Sequence, residues 1–377
     1  MVRILLAVAC TFLSAPALQT VVPAVAQSTT GRLSDGGLVT ALTAAATVAA
    51  ELVMPTLLGR IAGGRVFAGA LLLLGVGSLA HLAVEMSLGA ILAISVVRGV
   101  GFGAATVSGA VLVAELAEAH TRGRAVGNLG LVVGLSSMVA PSLGLLLLGA
   151  SGEAAVWLYA GGIALLGVPI VLRLEASQLR QSREGPPLYR ALQRPGLMVP
   201  VVGLALLTAT YGGLVSFAPR ILEPTGIGSA ATFFLMYGGV RALTRWSGGH
   251  AADRFGYRRV LLVGMLSACC GIALLAVTIH PLAVLLSGAL YGGGSGMAQS
   301  AIFIGMLEQS STGETRLVGT LWNLAFDAGV SLGGVVLGLV AANAGYSGVL
   351  ITMPVLTLLA LVLFITAWHR PRLSTST

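Results

Sequence analysis

Long apolar runs alternate along the chain with short polar joints. A run of about 20 apolar residues, rising about 1.5 Å per residue, matches a helix that crosses a bilayer. On that pattern the first stretch covers 3–26. Further spans cover 37–58, 66–86, 89–112, 126–149, 154–172, 197–218, 229–248, 260–279, 282–305, 318–341 and 347–368. The pattern predicts an all-α membrane protein of twelve transmembrane helices, with no room for a separate soluble domain. The longest polar stretch, 173–196, carries Arg173, Arg180, Arg183, Glu184, Arg190 and Arg194 around Pro186 and Pro187. It falls at the midpoint, so it divides an N-terminal six-helix bundle, 1–172, from a C-terminal one, 197–377. A cytoplasmic tether accounts for it more simply than a regulatory segment.

The first run admits two readings. A basic start at Arg3, an apolar centre and Ala24-Val25-Ala26 before Gln27 have the layout of a cleaved signal peptide. Against that, the apolar region is long for a signal, and cleavage would leave an odd number of spans. The expectation is therefore a first membrane helix.

Composition agrees with lipid burial. The 377 residues are 56% hydrophobic and 9% charged, with mean hydropathy +0.96; a soluble domain carries about a quarter charged residues. All 21 basic residues are arginine. The absence of lysine points to a GC-rich bacterial genome and removes the phosphate-loop lysine of an ATP-driven pump. A net charge of +8 invites a nucleic-acid reading, but the arginines sit in the joints. With both termini inside, Arg32 and Arg220 fall outside, Arg98 and Arg241 fall within spans, and the remainder, Arg245 included, fall on the inner side. That bias is the positive-inside pattern of a multi-pass inner-membrane protein. Cys10, Cys269 and Cys270 lie in apolar runs as expected free thiols. His81, His120, His250, His280 and His369 are scattered, and no catalytic triad or metal cluster stands out. The chain does not read as an enzyme.

One joint carries more information than the others. Gly249–Arg259 reads GHAADRFGYRR, giving Gly249, Asp253, Arg254, Gly256, Arg258 and Arg259 the spacing G-x-x-x-D-R-x-G-x-R-R. Glycines let two helix ends approach, and arginines hold the joint on the inner side. This stretch resembles the signature loop of the major facilitator superfamily, in its second copy. Gly59-Arg60-Ile61-Ala62 corresponds to Gly249-His250-Ala251-Ala252 at an offset of 190, but Gly63 stands where Asp253 stands, so the first copy is eroded. Arg98 followed by Gly99, Gly101 and Gly103 is similar to the family's fourth-span motif. Gly134 through Pro141 to Gly144 is similar to the G-x-P-x-x-G motif of its antiporters, with Ala140 where a glycine is usual. The resemblance covers nearly the whole chain. It implies two pseudo-symmetric bundles working by alternating access, with Gly59, Arg60, Pro141, Gly144 and the 249–259 residues as gating elements. Glycine runs in spans also let helices pack closely, the plainer reading at each of them.

Ionisable residues inside spans cost on the order of 3 kcal/mol each, which makes them candidates for function. Glu51 and Arg241 each lie eight residues before their joint, about 12 Å deep at 1.5 Å per residue; Asp327 is similarly deep. The resemblance places spans 2 and 11 against each other, and so Glu51 opposite Asp327. Two facing carboxylates in a low dielectric cannot both ionise cheaply, which suits a group that binds and releases protons. The expectation is proton coupling through Glu51 and Asp327, with Arg241 as the competing cation. The structural alternatives are a snorkelling Arg241, an Asp327–Asn323 bond along one helix and a hydrated Glu51. Gln19, Thr20, Arg98, Thr208, Tyr211, Tyr291 and Gln299 are the expected substrate-cavity residues, suited to an amphipathic organic cargo.

The resulting expectation is proton-coupled export of a small organic compound, a drug or natural product. One alternative is proton-coupled import of a sugar or organic anion held by Arg98. Another is a transport-inactive membrane sensor or scaffold, which the eroded loop supports. The expected partners are the small-molecule substrate, protons and the lipid bilayer. The chain is expected to work as a monomer without a cofactor.

Overall fold

The computed structural model describes residues 1–116, 122–173, 195–225, 229–310 and 315–368. The expected linker therefore lies almost wholly outside the described residues. Among those residues the chain forms ten continuous α-helices and no strand. They are α1 (Val2–Thr30), α2 (Ser34–Leu58), α3 (Gly63–Ala80), α4 (Leu88–Leu116), Arg122–Leu172, α7 (Pro195–Ile221), α8 (Ser229–Phe255), α9 (Tyr257–Val277), α10 (Pro281–Glu308) and Thr315–Trp368. The two longest break at one glycine each, Gly152 (φ 79°) and Gly345 (φ 63°), in a backbone region that disfavours side chains. Each is thus two segments: α5 (122–151) and α6 (153–172), α11 (315–344) and α12 (346–368). Eight of the ten helices are long and apolar enough to cross a membrane. The exceptions are α8, which carries Arg241, Arg245 and Arg254, and the glycine-rich α10. Leu158, Leu166, Leu243, Leu339 and Ile351 are among the exposed side chains of an apolar outer surface.

The first stretch is a core helix. Ala15, Leu18 and Val21 of α1 are buried, Ser14 Oγ donates to the Ala160 carbonyl of α6 at 2.7 Å, and Gly144 of α5 packs against the Ala17 carbonyl. The signature stretch is more helical than its reading as a joint implies. Helix α8 continues through Phe255, and the turn into α9 is made by Gly256 alone, at φ 83°.

Glycine contacts show how the halves repeat. On α4, a Cβ at Gly99 would strike the Thr43 carbonyl of α2, one at Gly101 would meet Leu74 N of α3 at 2.8 Å, and one at Gly103 would meet the Thr47 carbonyl at 2.5 Å. On α10, Gly292 stands against the Tyr237 carbonyl of α8, Gly294 against Ala268 of α9, and Gly296 against the Arg241 carbonyl. Each pair of glycines differs by 193 residues, and Thr47 and Arg241 by 194. The helix-packing role of these glycines is therefore met in both halves. Counting from the joints put Glu51 and Arg241 at like positions; in the register set by these contacts the counterpart of Glu51 is Arg245, and that of Arg241 is Thr47.

Helices α2 and α11 meet across the halves, as do α5 and α8. Gly37 of α2 packs on Gly334 and Gly338 of α11, and Gly238 of α8 on Met138 of α5. We call the end carrying Arg60, Arg65, Arg258 and Arg259 the inner end. A cluster of hydrogen bonds ties the halves at the other, outer end. Ser216 Oγ donates to Thr40 Oγ1 at 2.6 Å and Ser331 Oγ to the Ala41 carbonyl at 2.8 Å. Gln27 donates to the Ser216 carbonyl at 3.0 Å and accepts from Tyr346 at 3.1 Å, while Ser142 Oγ donates to the Ala231 carbonyl at 2.8 Å.

Candidate functional site

Below that outer seam a cavity of about 40 Å³ lies between the halves. It is lined from α1 by Gln19 and Pro23, from α2 by Thr43 and Thr47, from α4 by Arg98 and Phe102, from α7 by Tyr211, and from α11 by Phe326 and Asp327. Three of the expected substrate residues, Gln19, Arg98 and Tyr211, line it together with Asp327. Helices α2 and α11, which carry none of the expected substrate residues, contribute walls, and α10, which carries Tyr291 and Gln299, contributes none. The volume holds a few waters, whereas organic ligands occupy several hundred Å³. In this state the outer seam and the bulk of Phe326 and Tyr211 leave no room for a cargo molecule there.

The other expected cavity residues sit elsewhere. Thr208 donates to the Leu204 carbonyl at 2.9 Å, and Thr20 lies against the Ala17 carbonyl at 3.5 Å; both side chains are buried. Tyr291 is buried and donates to the Leu207 carbonyl at 3.1 Å. Their hydroxyls satisfy the backbone, as buried hydroxyls usually do. Gln299 accepts from the Arg241 guanidinium at 2.8 Å.

Glu51 and Asp327 are brought together. They project from α2 and α11, one from each half, close enough for their carboxyls to interact directly. Glu51 is buried, and its Oε1 has no hydrogen-bond partner. No salt bridge joins Arg241 to either acid among the described residues. The Arg241 guanidinium instead lies 5.7 Å from the Tyr237 ring and 5.6 Å from the Phe326 ring, with Nε unpartnered. Arg98 is 3% exposed and its Nε also lacks a partner. Beside it His81 stacks on Trp157 at 4.3 Å.

Arg245 is the residue that sequence reasoning misplaced. Counted with the inner joints, it lies inside α8 one turn after Arg241, with its guanidinium 4.8 Å from the Trp322 ring. Trp322 was not singled out at all. It stacks on Phe326 at 5.8 Å and meets Phe303 edge-on at 6.4 Å. The ladder continues away from the inner end through Tyr211, Tyr237 and Tyr291. The available signal was the i, i+4 spacing of Arg241 and Arg245, matched by Trp322 and Phe326 on α11.

The expected gating residues divide by end. Pro141 and Gly144 are buried at the contacts of α5 with α1 and α8. Arg60, Asp253, Arg254, Gly256, Arg258 and Arg259 are exposed, as is Gly59 at the end of α2, and Gly249 is half-buried with open space beside its Cα. Arg254 stacks on its own neighbour Phe255.

The family model described as Major Facilitator Superfamily matches residues 4–318 and 225–376. Comparison with curated proteins found no match. Among solved structures, a bacterial homologue of the human lysosomal transporter Spinster, inward-facing and unoccupied, superposes with TM-score 0.81 at 14% identity, covering 97% of this chain and 95% of that one. The nucleoside transporter NupG superposes with TM-score 0.76 at 15% identity, covering 98% and 100%. At such identity these likenesses speak for the fold, while the family match runs nearly end to end. With its two helix bundles repeating in register, the chain belongs to the major facilitator superfamily and is a secondary transporter of the membrane, not an enzyme.

Proposed function

We propose that the protein couples proton movement to export of a small organic compound, by alternating access across the bacterial inner membrane. The observation that carries this reading is the pairing of Glu51 with Asp327 across the two halves, beside the cavity and, among the described residues, without a salt bridge to a cation. Two adjacent carboxyls shielded from water retain a proton that one hydrated carboxyl would lose. When the halves part and water enters, the proton leaves. A proton site built from both halves is thus sensitive to the rocking motion that moves cargo. Export, rather than import, is supported by the Pro141–Gly144 motif of α5.

In this reading twelve segments cross the membrane, 173–196 joins the bundles 1–172 and 197–377, and both termini face the cytoplasm. The seam through Ser216, Thr40 and Ala41 closes the periplasmic side, and the exposed Arg245 and Trp246 face an inward opening. The test is proton flux in everted vesicles, followed with a pH dye over a panel of amphipathic drugs, sugars and metabolites. A compound that dissipates the gradient in wild type, but not in Glu51→Gln, supports the proposal. Unchanged coupling in both Glu51→Gln and Asp327→Asn overturns it.

A second reading is uptake of an organic anion with protons. The buried Arg98, facing the cavity with a free Nε, favours it. In that case flux follows an inward gradient in intact cells, and Arg98→Gln abolishes it.

A further inference from the structure

We infer that the mouth of the C-terminal half, between Arg241, Arg245, Trp322 and Phe326, binds a planar aromatic anion, a ring bearing one carboxylate or similar acid group. This names the substrate class of the transporter and rests on the transport reading for the claim that the bound anion is cargo.

Charge is the first ground. Arg241 and Arg245 stand one turn apart on one face of α8, where like charges repel. Such a pair ordinarily recruits acids. Here the contacts made by the two guanidiniums are Gln299 and aromatic rings, and among the described residues neither forms a salt bridge. An anion placed between them relieves the repulsion and supplies the missing acceptors. A guanidinium fork matches a carboxylate with two parallel hydrogen bonds.

Unspent donors are the second ground. Arg241 Nε and Trp322 Nε1 are both buried without a hydrogen-bond partner. An N–H left unmade inside a protein is costly and calls for an explanation. Both are donors, so the ligand they call for is an acceptor.

Shape is the third. Trp322 and Phe326 stack nearly parallel, with 20° between their planes. Arg245 lies over the first ring and Arg241 beside the second. Flat rings flanked by guanidiniums accept a flat aromatic guest by stacking and cation–π contact. The site is also reachable. Arg245 keeps an exposed side chain although it lies within α8, and Phe326 also lines the 40 Å³ cavity.

The test uses purified full-length protein in lipid nanodiscs, with no proton gradient. Titration calorimetry compares 2-naphthoate with its neutral isostere 2-naphthamide and with the non-aromatic cyclohexanecarboxylate. The expected result is naphthoate binding at least tenfold tighter than either. Arg245→Gln should weaken naphthoate at least fivefold and leave naphthamide unchanged. Arg245→Lys, which keeps the charge but not the fork, should recover part of that loss, and this excludes misfolding as the cause. Trp322→Leu should weaken naphthoate and naphthamide together. Equal binding of naphthoate and naphthamide, cyclohexanecarboxylate as tight as naphthoate, an Arg245→Gln variant that binds like wild type, or no binding to wild type would each overturn the inference. Lost binding with coupling through Glu51 intact removes the substrate class alone. Retained binding with coupling that survives Glu51→Gln and Asp327→Asn removes the proton reading alone.

Discussion

In the N-terminal half, the ionisable side chains near the centre are Glu51 on α2 and Arg98 on α4, each buried and each with an unpartnered polar atom. In the C-terminal half, the positions in the same register hold Arg245 and Tyr291, and Thr47 gives way to Arg241. The backbones are packed alike, glycine against carbonyl, on α4 and on α10. The side chains that this shared frame presents are opposite in character. One half offers an acid and a single guanidinium, the latter beside the His81–Trp157 stack. The other offers two guanidiniums, an aromatic ladder and Asp327. The cores differ as well: the buried apolar residues of the C-terminal half join in one cluster, while those of the N-terminal half fall into three. A repeated fold thus holds two chemistries, and the Glu51–Asp327 pair is where they meet.

The sharpest way to break this comparison is to remove the acid from one half at a time. Glu51→Gln and Asp327→Asn should each lower proton-coupled flux at least tenfold in proteoliposomes, because each carboxyl depends on the other. If one variant is silent, the site belongs to a single half.

Next comes the outer seam. A Cβ at Gly37 would collide with the Gly334 carbonyl, and one at Gly334 would lie 2.6 Å from the Gly37 carbonyl. Overpacking of this kind costs about 1–3 kcal/mol. Gly334→Val should therefore shift the population away from the outer-closed state by roughly tenfold or more, at 1.4 kcal/mol per decade. Spin-label distances across the outer ends of α2 and α11 would report it. Gly69→Ala, with open space at its Cβ, should leave the distances unchanged.

A smaller shift is expected from Ser216→Ala, which removes the bond to Thr40. One such bond contributes about 1 kcal/mol, so the same distance distribution should move by about fivefold in population. The smallest effect is expected at the signature stretch. Asp253 is exposed in this state, and Asp253→Asn should change thermal stability by less than about 0.5 kcal/mol. A larger loss would mean that the joint clamps the inner ends even here.

Much of the fold was legible because a membrane span must satisfy its own backbone and expose little that is polar to lipid. Twelve apolar runs therefore read as twelve helical segments, and the spacing of Glu51 and Asp327 from their helix ends set them at matched depth. Other features were not legible. Arg245 was counted with the inner side because it falls in the last turn of the expected span 229–248, and the continuation of α8 to Phe255 sets it more than two turns from the helix end. Thr208 and Tyr291 looked like cavity residues because polar side chains in spans stand out, but the rotation of α7 and α10 aims their hydroxyls at backbone carbonyls. The equivalence of Glu51 with Arg245 appears only once glycine contacts fix the register of the halves.

By itself, the sequence determined the number of helical runs, the glycines where helices approach, the family and the short set of buried charges, since each follows from local composition and spacing. The tertiary structure decided which charges meet. Glu51 lies 276 positions from Asp327, and Trp322 lies far along the chain from Arg245; helix rotation and the docking of one half on the other, not local pattern, bring them together. The closed outer seam is likewise a property of that docking, because its hydrogen bonds join side chains to another helix's backbone or hydroxyl.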